Sequence, residues 1–245
     1  MKCLILAAGY ATRLYPLTEN FPKPLLEVAG KTILDWLIDD MAQTGLVDEY
    51  IVISNHKFAH IFEEWAARHE GVVIRVLDDG TTSNENRLGA VCDIQFAIEQ
   101  LHLDDDLLVM AGDNLLDFRL EGFIRYAKEK NATCVMRYHE AEPAKLRKSG
   151  VLEIDEADRV LAMEEKPAEP KSPWCCPAFY CYTREDSHRI ADAIKNGCGT
   201  DAPGSFIAWL SGQTAVYAWE MPGRRYDIGN LESYEEVKRI YKAPM

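Results

Sequence analysis

The sequence predicts an α/β fold in which a Rossmann-like, mixed but mostly parallel sheet is flanked by helices. Short apolar runs alternate with segments whose apolar residues recur at three- and four-residue spacing, which is the strand and helix order of a parallel sheet. The length of 245 residues and the apolar content of 47% are sufficient for a substantial core. A turn of small residues directly follows the first apolar run, as it does at the ligand-binding edge of such sheets.

The first part of the chain supplies five strands and four helices. The apolar runs predict strands over Cys3–Leu6, Tyr50–Ser54, Val72–Leu77, Leu107–Ala111 and Cys134–Tyr138. The helical spacing predicts helices from an N-cap at Thr32 to a stop at Gly45, and over Phe58–His69, Arg87–Leu101 and Leu120–Lys130. Because open parallel sheets bind ligands at the carboxyl ends of their strands, we expect the small-residue turn to lie at a binding site.

The alternation of strands and helices changes near residue 141, after which the predicted strands are shorter and prolines are more frequent. More antiparallel strands are predicted over Gly150–Ile154, Val160–Glu164, Phe179–Tyr182 and Ala215–Trp219. An amphipathic helix is predicted over Leu231–Tyr241. The sequence contains no Gly/Ser linker and no internal repeat. We therefore expect a single domain over residues 1–245, whose halves 1–140 and 141–245 share one sheet and one core.

Charge and composition exclude several classes of function. A net charge of −13 disfavours broad binding to nucleic acid, although a few converging cations can still bind a small anion. No apolar span reaches the length of a membrane helix, and the first apolar run is too short for a secretory signal. The seven cysteines include no Cys-x-x-Cys, and six of them, all but Cys198, are interpreted as reduced, buried thiols of a cytoplasmic protein. The partners are expected to be small molecules, and the oligomeric state is left open.

The most informative stretch begins at Leu6 and reads LAAGYATRLYPLTENFPKPLLEVAGKTIL. Its turn of small residues allows backbone N–H groups to approach an anion closely. Arg13 and Lys23, which follow the turn, can neutralise several phosphate charges. The stretch lacks the first glycine of a P-loop, and Ala11 stands at the second glycine of the dinucleotide-binding pattern. It therefore predicts a triphosphate-binding turn of another kind.

Two acidic residues follow apolar segments further along the chain. Asp113 follows the predicted strand Leu107–Ala111, where a carboxylate is well placed to hold a metal ion, although Gly-Asp-Asn is also an ordinary turn sequence. Asp227 precedes the last predicted helix in an Asp-x-Gly sequence, which is equally common in turns. Two carboxylates, completed by phosphate oxygens and waters, suit Mg²⁺. Taken alone, the residues predict a phosphate and metal site at strand ends.

These motifs resemble the signature of the sugar-1-phosphate nucleotidylyltransferases, LAAGxGTRLxPLTxxxPKPLLxVxGKPIL, over almost thirty positions. The departures lie at Ala11 and Thr32. The resemblance implies the nucleotidyltransferase fold, with a nucleotide-binding half at 1–140 and an acceptor-binding half at 141–245. It also implies the reaction: an NTP transfers its nucleoside monophosphate to a phosphorylated acceptor, above all a sugar 1-phosphate, and pyrophosphate is released. The resemblance further implies sugar nucleotide biosynthesis as the setting.

The resemblance also implies roles for single residues. Arg13 and Lys23 are the implied catalytic residues, and Asp113 and Asp227 are the implied ligands of Mg²⁺, with the motif around Asp227 matched only in part. The implied nucleotide-binding residues are Leu6, Ala8, Gly9, Tyr10, Asn84, Asn86, Gly89 and Asp113. The implied acceptor-binding residues are Gly150, Glu165, Lys166 and Tyr180.

The nucleobase and the acceptor are the open part of this prediction. Asn84 and Asn86 offer amide groups that suit a pyrimidine edge, but Asn84 equally suits an N-cap of the following helix. The same segment also resembles the phosphocholine-type enzymes, so one alternative is a cytidylyltransferase acting on a small non-sugar phosphate or phosphonate such as phosphocholine. Another alternative is a non-catalytic nucleotide- or sugar-phosphate-binding regulatory module. The presence of all four implied cationic and acidic site residues argues against that module.

Overall fold

The computed structural model describes residues 1–244, and it has a mixed α/β architecture. The strands are β1 (Lys2–Leu6), β2 (Glu27–Val28), β3 (Lys31–Thr32), β4 (Glu49–Ser54), β5 (Ile74–Asp78), β6 (Leu107–Ala111), β7 (Leu115–Leu116), β8 (Thr133–His139), β9 (Gly150–Ile154), β10 (Val160–Glu165), β11 (Trp174–Cys176), β12 (Phe179–Tyr182), β13 (Val216–Glu220) and β14 (Arg225–Tyr226). The helices are α1 (Ile33–Ala42), α2 (Ala59–Ala66), α3 (Ala90–Leu101), α4 (Glu121–Lys130), α5 (Pro143–Leu146), α6 (Arg184–Ser187), α7 (Ile190–Lys195), α8 (Gly204–Leu210) and α9 (Leu231–Ile240). Two single 3₁₀ turns, Thr12–Leu14 and Lys23–Leu25, follow β1.

The chain divides into two compact units. Unit 1 comprises Met1–Arg87, Ala111–Glu121 and the chain from Pro222 onward, and unit 2 comprises Leu88–Met110 and Gly122–Met221. These boundaries do not follow the expected halves, because two segments from later in the chain complete unit 1. The single domain over residues 1–245 stays a prediction.

Unit 1 is built on three parallel strands in the order β1-β4-β5. The register pairs Leu6 with Ile53 and Ser54 with Asp78, so the three strands end at one edge. Every residue of β4 is buried, as expected for a strand covered on both faces. The loops that follow these three strands therefore start side by side.

Helix α1 begins where the sequence predicts. The Thr32 hydroxyl accepts the N–H of Asp35 at 3.0 Å, and the Asp35 carboxylate accepts the N–H of Thr32 at 3.0 Å, which is a capping box. Helix α3 begins at Ala90 rather than at the predicted Arg87. The physical reason is Gly89, whose φ of +92° no helical residue adopts.

The C-terminal helix α9 closes the core of unit 1. Its inner face packs on a buried cluster formed by Leu14, Leu26, Val28, Ile33, Leu115, Ile228, Tyr234, Val237 and Tyr241. Two tyrosines also anchor it: Tyr234, within the helix, donates its hydroxyl to the carbonyl of Glu27 at 2.8 Å, and Tyr241, directly after the helix, donates to the carbonyl of Leu116 at 3.0 Å. Helix α9 thus fixes the loop after β1, the strand β7 and the residues just before the helix itself.

Unit 2 contains the more antiparallel part of the sheet, as expected. Its strands follow the order β10-β9-β11-β8-β12-β6, all antiparallel, with β13 added parallel to β8. The four strands predicted after residue 141 are present within one residue at each end. Helices flank the strands, and the predicted mixed α/β class is confirmed. Within residues 1–244, no helix is long and apolar enough to span a bilayer.

Candidate active site

The small-residue turn after β1 is held by the neighbouring strand ends. The side-chain amide of Asn55, fully buried after β4, donates to the carbonyl of Ala8 at 2.9 Å. The Tyr10 hydroxyl donates to the carbonyl of Thr81, in the loop after β5, at 3.2 Å. Because two loops fix it, the turn presents its backbone in one arrangement.

Ala11 ends this turn in the left-handed region, with φ 46° and ψ 42°. Its carbonyl accepts the N–H of Leu14 at 2.9 Å and the Thr18 hydroxyl at 2.8 Å, which holds the conformation in place. The family signature has glycine at this position. The structure explains that preference, since glycine alone enters this region without a steric penalty.

We expect Ala11→Gly to raise the free energy of unfolding. An L-residue pays about 1–2 kcal/mol in the left-handed region, and the extra freedom of glycine in the unfolded chain offsets about 0.4–1 kcal/mol of this. The expected net gain is about 0.5 kcal/mol. Urea denaturation followed by circular dichroism measures it, and a variant less stable than the wild type would contradict the interpretation.

A cavity of about 200 Å³ opens beside this turn, and all of its lining residues belong to unit 1. Its lining includes five of the predicted site residues, Leu6, Gly9, Arg13, Lys23 and Asp113. Ile228 and Gly229, which directly follow Asp227, also line it. The structure thus brings the predicted phosphate-binding turn, both predicted catalytic cations and the predicted metal carboxylate Asp113 to one cavity.

Lys23 and Asp113 form an ion pair in this cavity. The Lys23 ammonium lies 2.7 Å from Oδ2 of Asp113, with the lysine side chain only 10% exposed and the aspartate side chain 42% exposed. Burial by itself raises the pKa of the Asp113 carboxyl, but the charge and hydrogen bond of Lys23, assisted by Arg225, outweigh it and hold that pKa below its usual value. Asp113 is therefore ionised at neutral pH.

Arg13 differs from Lys23 in having no partner. It lies in the first 3₁₀ turn, is exposed and lines the cavity. Among residues 1–244, no side chain forms an ion pair or hydrogen bond with its guanidinium. An unpaired guanidinium beside the predicted phosphate-binding turn is available for a ligand with several negative charges.

Asp227 is brought towards Asp113 by the antiparallel pair β7–β14. The register pairs Arg225 with Leu116 and Tyr226 with Leu115, so its continuation places Asp227 opposite Asn114. Arg225 links the two sides, because its Nη1 donates to Oδ1 of Asn114 at 3.2 Å and lies 3.5 Å from Oδ1 of Asp227. The Asp227 side chain is 68% exposed. No group of three histidine, cysteine or acidic residues suited to a metal occurs in the described part of the chain.

The loop after β5, predicted to meet the nucleobase, is shaped by its own side chains. Oδ1 of Asn86 accepts the N–H groups of Thr82 and Ser83 at 3.1 and 2.9 Å. Asn84 accepts from the guanidinium of Arg87 at 3.0 Å. The amide oxygens of both asparagines therefore have protein partners, and a nucleobase contact by either residue stays a prediction.

Gly89, also predicted to bind nucleotide, has a packing role in unit 2. A Cβ at this position would lie 2.6 Å from the carbonyl oxygen of Thr200. The same backbone segment accepts the first N–H groups of α3, since Val91 donates to Thr200 and Ala90 to Asp201 at 3.0 and 3.3 Å. Glycine is required here so that the start of α3 can approach this segment. A nucleotide contact at Gly89 stays a prediction.

Unit 2 groups three of the four predicted acceptor residues. Gly150 lies next to Glu165, since a Cβ at Gly150 would be 3.3 Å from Oε1 of that carboxyl. Burial holds the pKa of Glu165 above its usual value, and the charge of Lys166 and the N–H of Gly204 offset this only in part. Lys166 is exposed, and the described chain offers its ammonium no ion pair. Tyr180 is only 1% exposed and stacks on the ring of Tyr182, so its place at the acceptor stays a prediction.

Sequence reasoning missed three residues that shape these sites. Asn55 carries the signal that also marked Asp113, a polar residue directly after a buried strand. Asp79 likewise follows a strand, β5, and its Oδ1 accepts the N–H and hydroxyl of Thr81 at 2.7 and 2.6 Å, which fixes the start of the loop after β5. Gly204 follows Glu165 by almost forty residues, and no local pattern links the two.

Comparison with known proteins now identifies the chain. The sequence profile of a family described as nucleotidyl transferase matches residues 2–243. The chain belongs to this family. The match confirms the predicted sugar-1-phosphate nucleotidylyltransferase superfamily and the predicted kind of enzyme, a nucleotidyltransferase.

Proteins similar to this nucleotidyl transferase match at least 98% of its chain. A UTP–glucose-1-phosphate uridylyltransferase of Haloferax volcanii, AglF, is 28% identical over 98% of this chain and 96% of its own length. A UDP-glucose pyrophosphorylase solved with UDP-glucose superposes with a TM-score of 0.83, at 18% identity, over 98% of this chain and 97% of its own. A Bacillus anthracis protein assigned as a glucose-1-phosphate thymidylyltransferase gives a TM-score of 0.80 at 20% identity, over 100% and 98% of the two chains. The two structural similarities establish the fold.

Proposed function

We propose that this nucleotidyl transferase joins the nucleoside monophosphate of a pyrimidine NTP, UTP or dTTP, to a sugar 1-phosphate. The names of the three relatives support these substrates, since they specify UTP, UDP-glucose, glucose 1-phosphate and thymidylyl transfer. The observation that carries the proposal is the cavity in unit 1, which the unpaired Arg13 shares with the Lys23–Asp113 pair. In a protein of net charge −13, such converging cations mark a place for an anion.

The reaction needs no general base. A phosphomonoester has a second pKa of about 6, so the acceptor phosphate is largely ionised at neutral pH. One of its oxygens attacks the α-phosphorus, a new P–O bond forms, and the bond to the departing pyrophosphate breaks with its electron pair on the pyrophosphate oxygen. The protein therefore has to bring two anions together and stabilise the charge on the leaving group.

The cations of unit 1 suit these two tasks. We assign the β- and γ-phosphates to Arg13, whose planar guanidinium binds phosphate oxygens in pairs and stabilises the departing pyrophosphate. We assign the α-phosphate to Lys23. The backbone from Ala8 to Tyr10, fixed by Asn55 and Thr81, contributes N–H groups to the nucleotide.

Asp113 and Asp227 fit a divalent cation, and we propose Mg²⁺. Both offer hard carboxylate oxygens, Asp113 is ionised because of its cationic neighbours, and Asp227 is largely exposed. Two protein ligands are what Mg²⁺ commonly uses together with phosphate oxygens and waters. When bound, the ion would neutralise charge on the nucleotide phosphates.

The acceptor residues belong to unit 2. We assign the acceptor phosphate to Lys166, whose ammonium is exposed and unpaired within residues 1–244. We assign the sugar to the neighbourhood of Glu165, which Gly150 and Gly204 enclose. These glycines leave room for the Glu165 and Met163 side chains, because a Cβ at Gly204 would overlap Oε1 of Glu165 and Cε of Met163.

In Gly204→Ala the new methyl group has to displace the Glu165 carboxyl. We therefore expect the KM for the sugar 1-phosphate to rise and the free energy of unfolding to fall by about 1–3 kcal/mol. Steady-state kinetics with each substrate varied in turn, together with urea denaturation, tests both effects. Gly212→Ala is the matched control, since its Cβ would lie at an ordinary 3.6 Å from the carbonyl of Trp209. An unchanged acceptor KM in Gly204→Ala would contradict the assignment of Glu165.

We place the enzyme in the cytoplasm on the state of its cysteines. All seven are free thiols, and most are buried. Burial raises the pKa of Cys134 to about 12, so this thiol is protonated and inert at neutral pH. Free, unreactive thiols are typical of proteins from reducing compartments.

Pyrophosphate release tests the proposed reaction. The protein is incubated with Mg²⁺, each of the common NTPs and a panel of acceptors that contains hexose 1-phosphates and phosphocholine. We expect pyrophosphate only when UTP or dTTP is combined with a hexose 1-phosphate. Release with CTP and phosphocholine would instead establish the cytidylyltransferase alternative, and NTP binding without release under any combination would establish a binding module.

A further inference from the structure

Each of the two proposed metal carboxylates is paired with a cation of the protein itself. The Lys23 ammonium lies 2.7 Å from Asp113, and the Arg225 guanidinium lies 3.5 Å from Asp227. Arg225 also donates to Asn114, the neighbour of Asp113, and its charge lowers the pKa of Asp113 as well. The charge that a metal ion would bring is already supplied by two side chains.

The ion pair of Lys23 stabilises the free protein. Its side chain is only 10% exposed, and an ammonium so far out of water is costly unless a carboxylate is beside it. A divalent cation on Asp113 would lie next to this ammonium, and positive charges this close together repel each other strongly at a protein surface. The metal can bind Asp113 well only if Lys23 finds another anion.

The nucleotide provides that anion. Arg13 has no partner among residues 1–244, so it can receive the triphosphate without breaking any contact. The phosphates that follow bring several negative charges to the cavity that Lys23 also lines. Lys23 can then exchange the Asp113 carboxylate for the α-phosphate without losing its counter-charge.

Resting on the proposed nucleotidyl transfer, we infer that Lys23 and Arg225 act as internal counter-ions that keep a divalent metal out of the free enzyme. The metal then binds together with the nucleotide, which draws Lys23 away from Asp113. Binding of metal and of nucleotide is therefore positively coupled, and by linkage each raises the affinity for the other. Arg225 is a positioning residue in this exchange, since it contacts Asp227 and Asn114 and not the reacting groups.

Binding of Mn²⁺ to the nucleotide-free protein tests this inference, with free Mn²⁺ measured by electron paramagnetic resonance. We expect the wild type to bind Mn²⁺ weakly. Lys23→Gln should bind it at least about tenfold more tightly, because the variant no longer has the ammonium that repels the ion, and a tenfold change in affinity corresponds to only part of that repulsion. Arg225→Gln should show a gain of the same sign. The double variant Lys23→Gln/Asp113→Asn should lose the gain, which would show that it arises at Asp113.

Lys31→Gln is the matched control, because Lys31 forms an equally close pair of 2.6 Å with Asp39 on the surface of unit 1. It should bind Mn²⁺ as the wild type does. Circular dichroism checks that each variant is folded, and Arg225→Gln provides a second route if Lys23→Gln is not. Equal Mn²⁺ affinity in the wild type and in both folded variants would overturn the inference, while pyrophosphate release by the wild type would remain. Loss of that release would instead contradict the proposed function.

Discussion

Asp113→Asn is expected to lower turnover by about 10²–10³-fold while leaving the protein folded. The substitution removes one of two carboxylates proposed for Mg²⁺, and the ion would otherwise neutralise charge on the nucleotide phosphates. The asparagine oxygen can still accept a hydrogen bond from Lys23, so the buried ammonium keeps a partner. Pyrophosphate release at saturating substrate measures the loss, and thermal unfolding measures the stability.

The matched control is Asp39→Asn, which neutralises the surface pair with Lys31 in the same unit. Its turnover should equal that of the wild type, since exposed ion pairs contribute about 0–1 kcal/mol and this one lies away from the cavity. A turnover close to that of the wild type in Asp113→Asn would remove Asp113 from the catalytic site.

Arg13→Ala is expected to lower kcat by about 10²–10³-fold with almost no change in the free energy of unfolding. The guanidinium has no protein partner within the described chain, so its removal breaks no contact of the free enzyme. Its proposed partners, the β- and γ-phosphates, carry the most new charge when pyrophosphate leaves. The loss should therefore fall on kcat more than on the KM for NTP.

Arg68→Ala controls for the loss of one positive charge, because Arg68 is also exposed in unit 1 and lies outside the cavity. Arg13→Lys should recover part of the lost kcat, since an ammonium restores the charge but not the paired hydrogen bonds. A loss confined to the KM for NTP would show that Arg13 binds the ground state only, and would contradict its role on the leaving group.

The sequence predicted the long elements of the fold and missed the shortest ones. Strands such as β4 and helices such as α1 carry their own periodicity and caps, so local reasoning finds them. The paired segments β2–β3 and β7–β14 have two residues in each strand, too few for any pattern. Their pairing depends on contacts between distant parts of the chain, which only the folded protein supplies.

The candidate site also contains residues that local sequence patterns predict and contacts that they do not. Arg13, Lys23 and Gly9 belong to one continuous signature, and the structure places all three at one cavity. The ion pair between Lys23 and Asp113 joins residues 90 positions apart, and no spacing rule predicts it. For the same reason, no local pattern predicts that Gly204 encloses Glu165.

The discontinuity of unit 1 has a consequence for the synthesis of the protein. The residues up to Arg87 leave the ribosome first, but the cluster that buries Leu14 and Ile33 also needs Tyr234, which is made almost last. Until Tyr234 has been synthesised, apolar side chains in the loop after β1 stay exposed to solvent, and nascent chains with exposed apolar side chains aggregate. We therefore expect this part to mature only after translation has passed α9, and stalled chains that end before it to depend on chaperones.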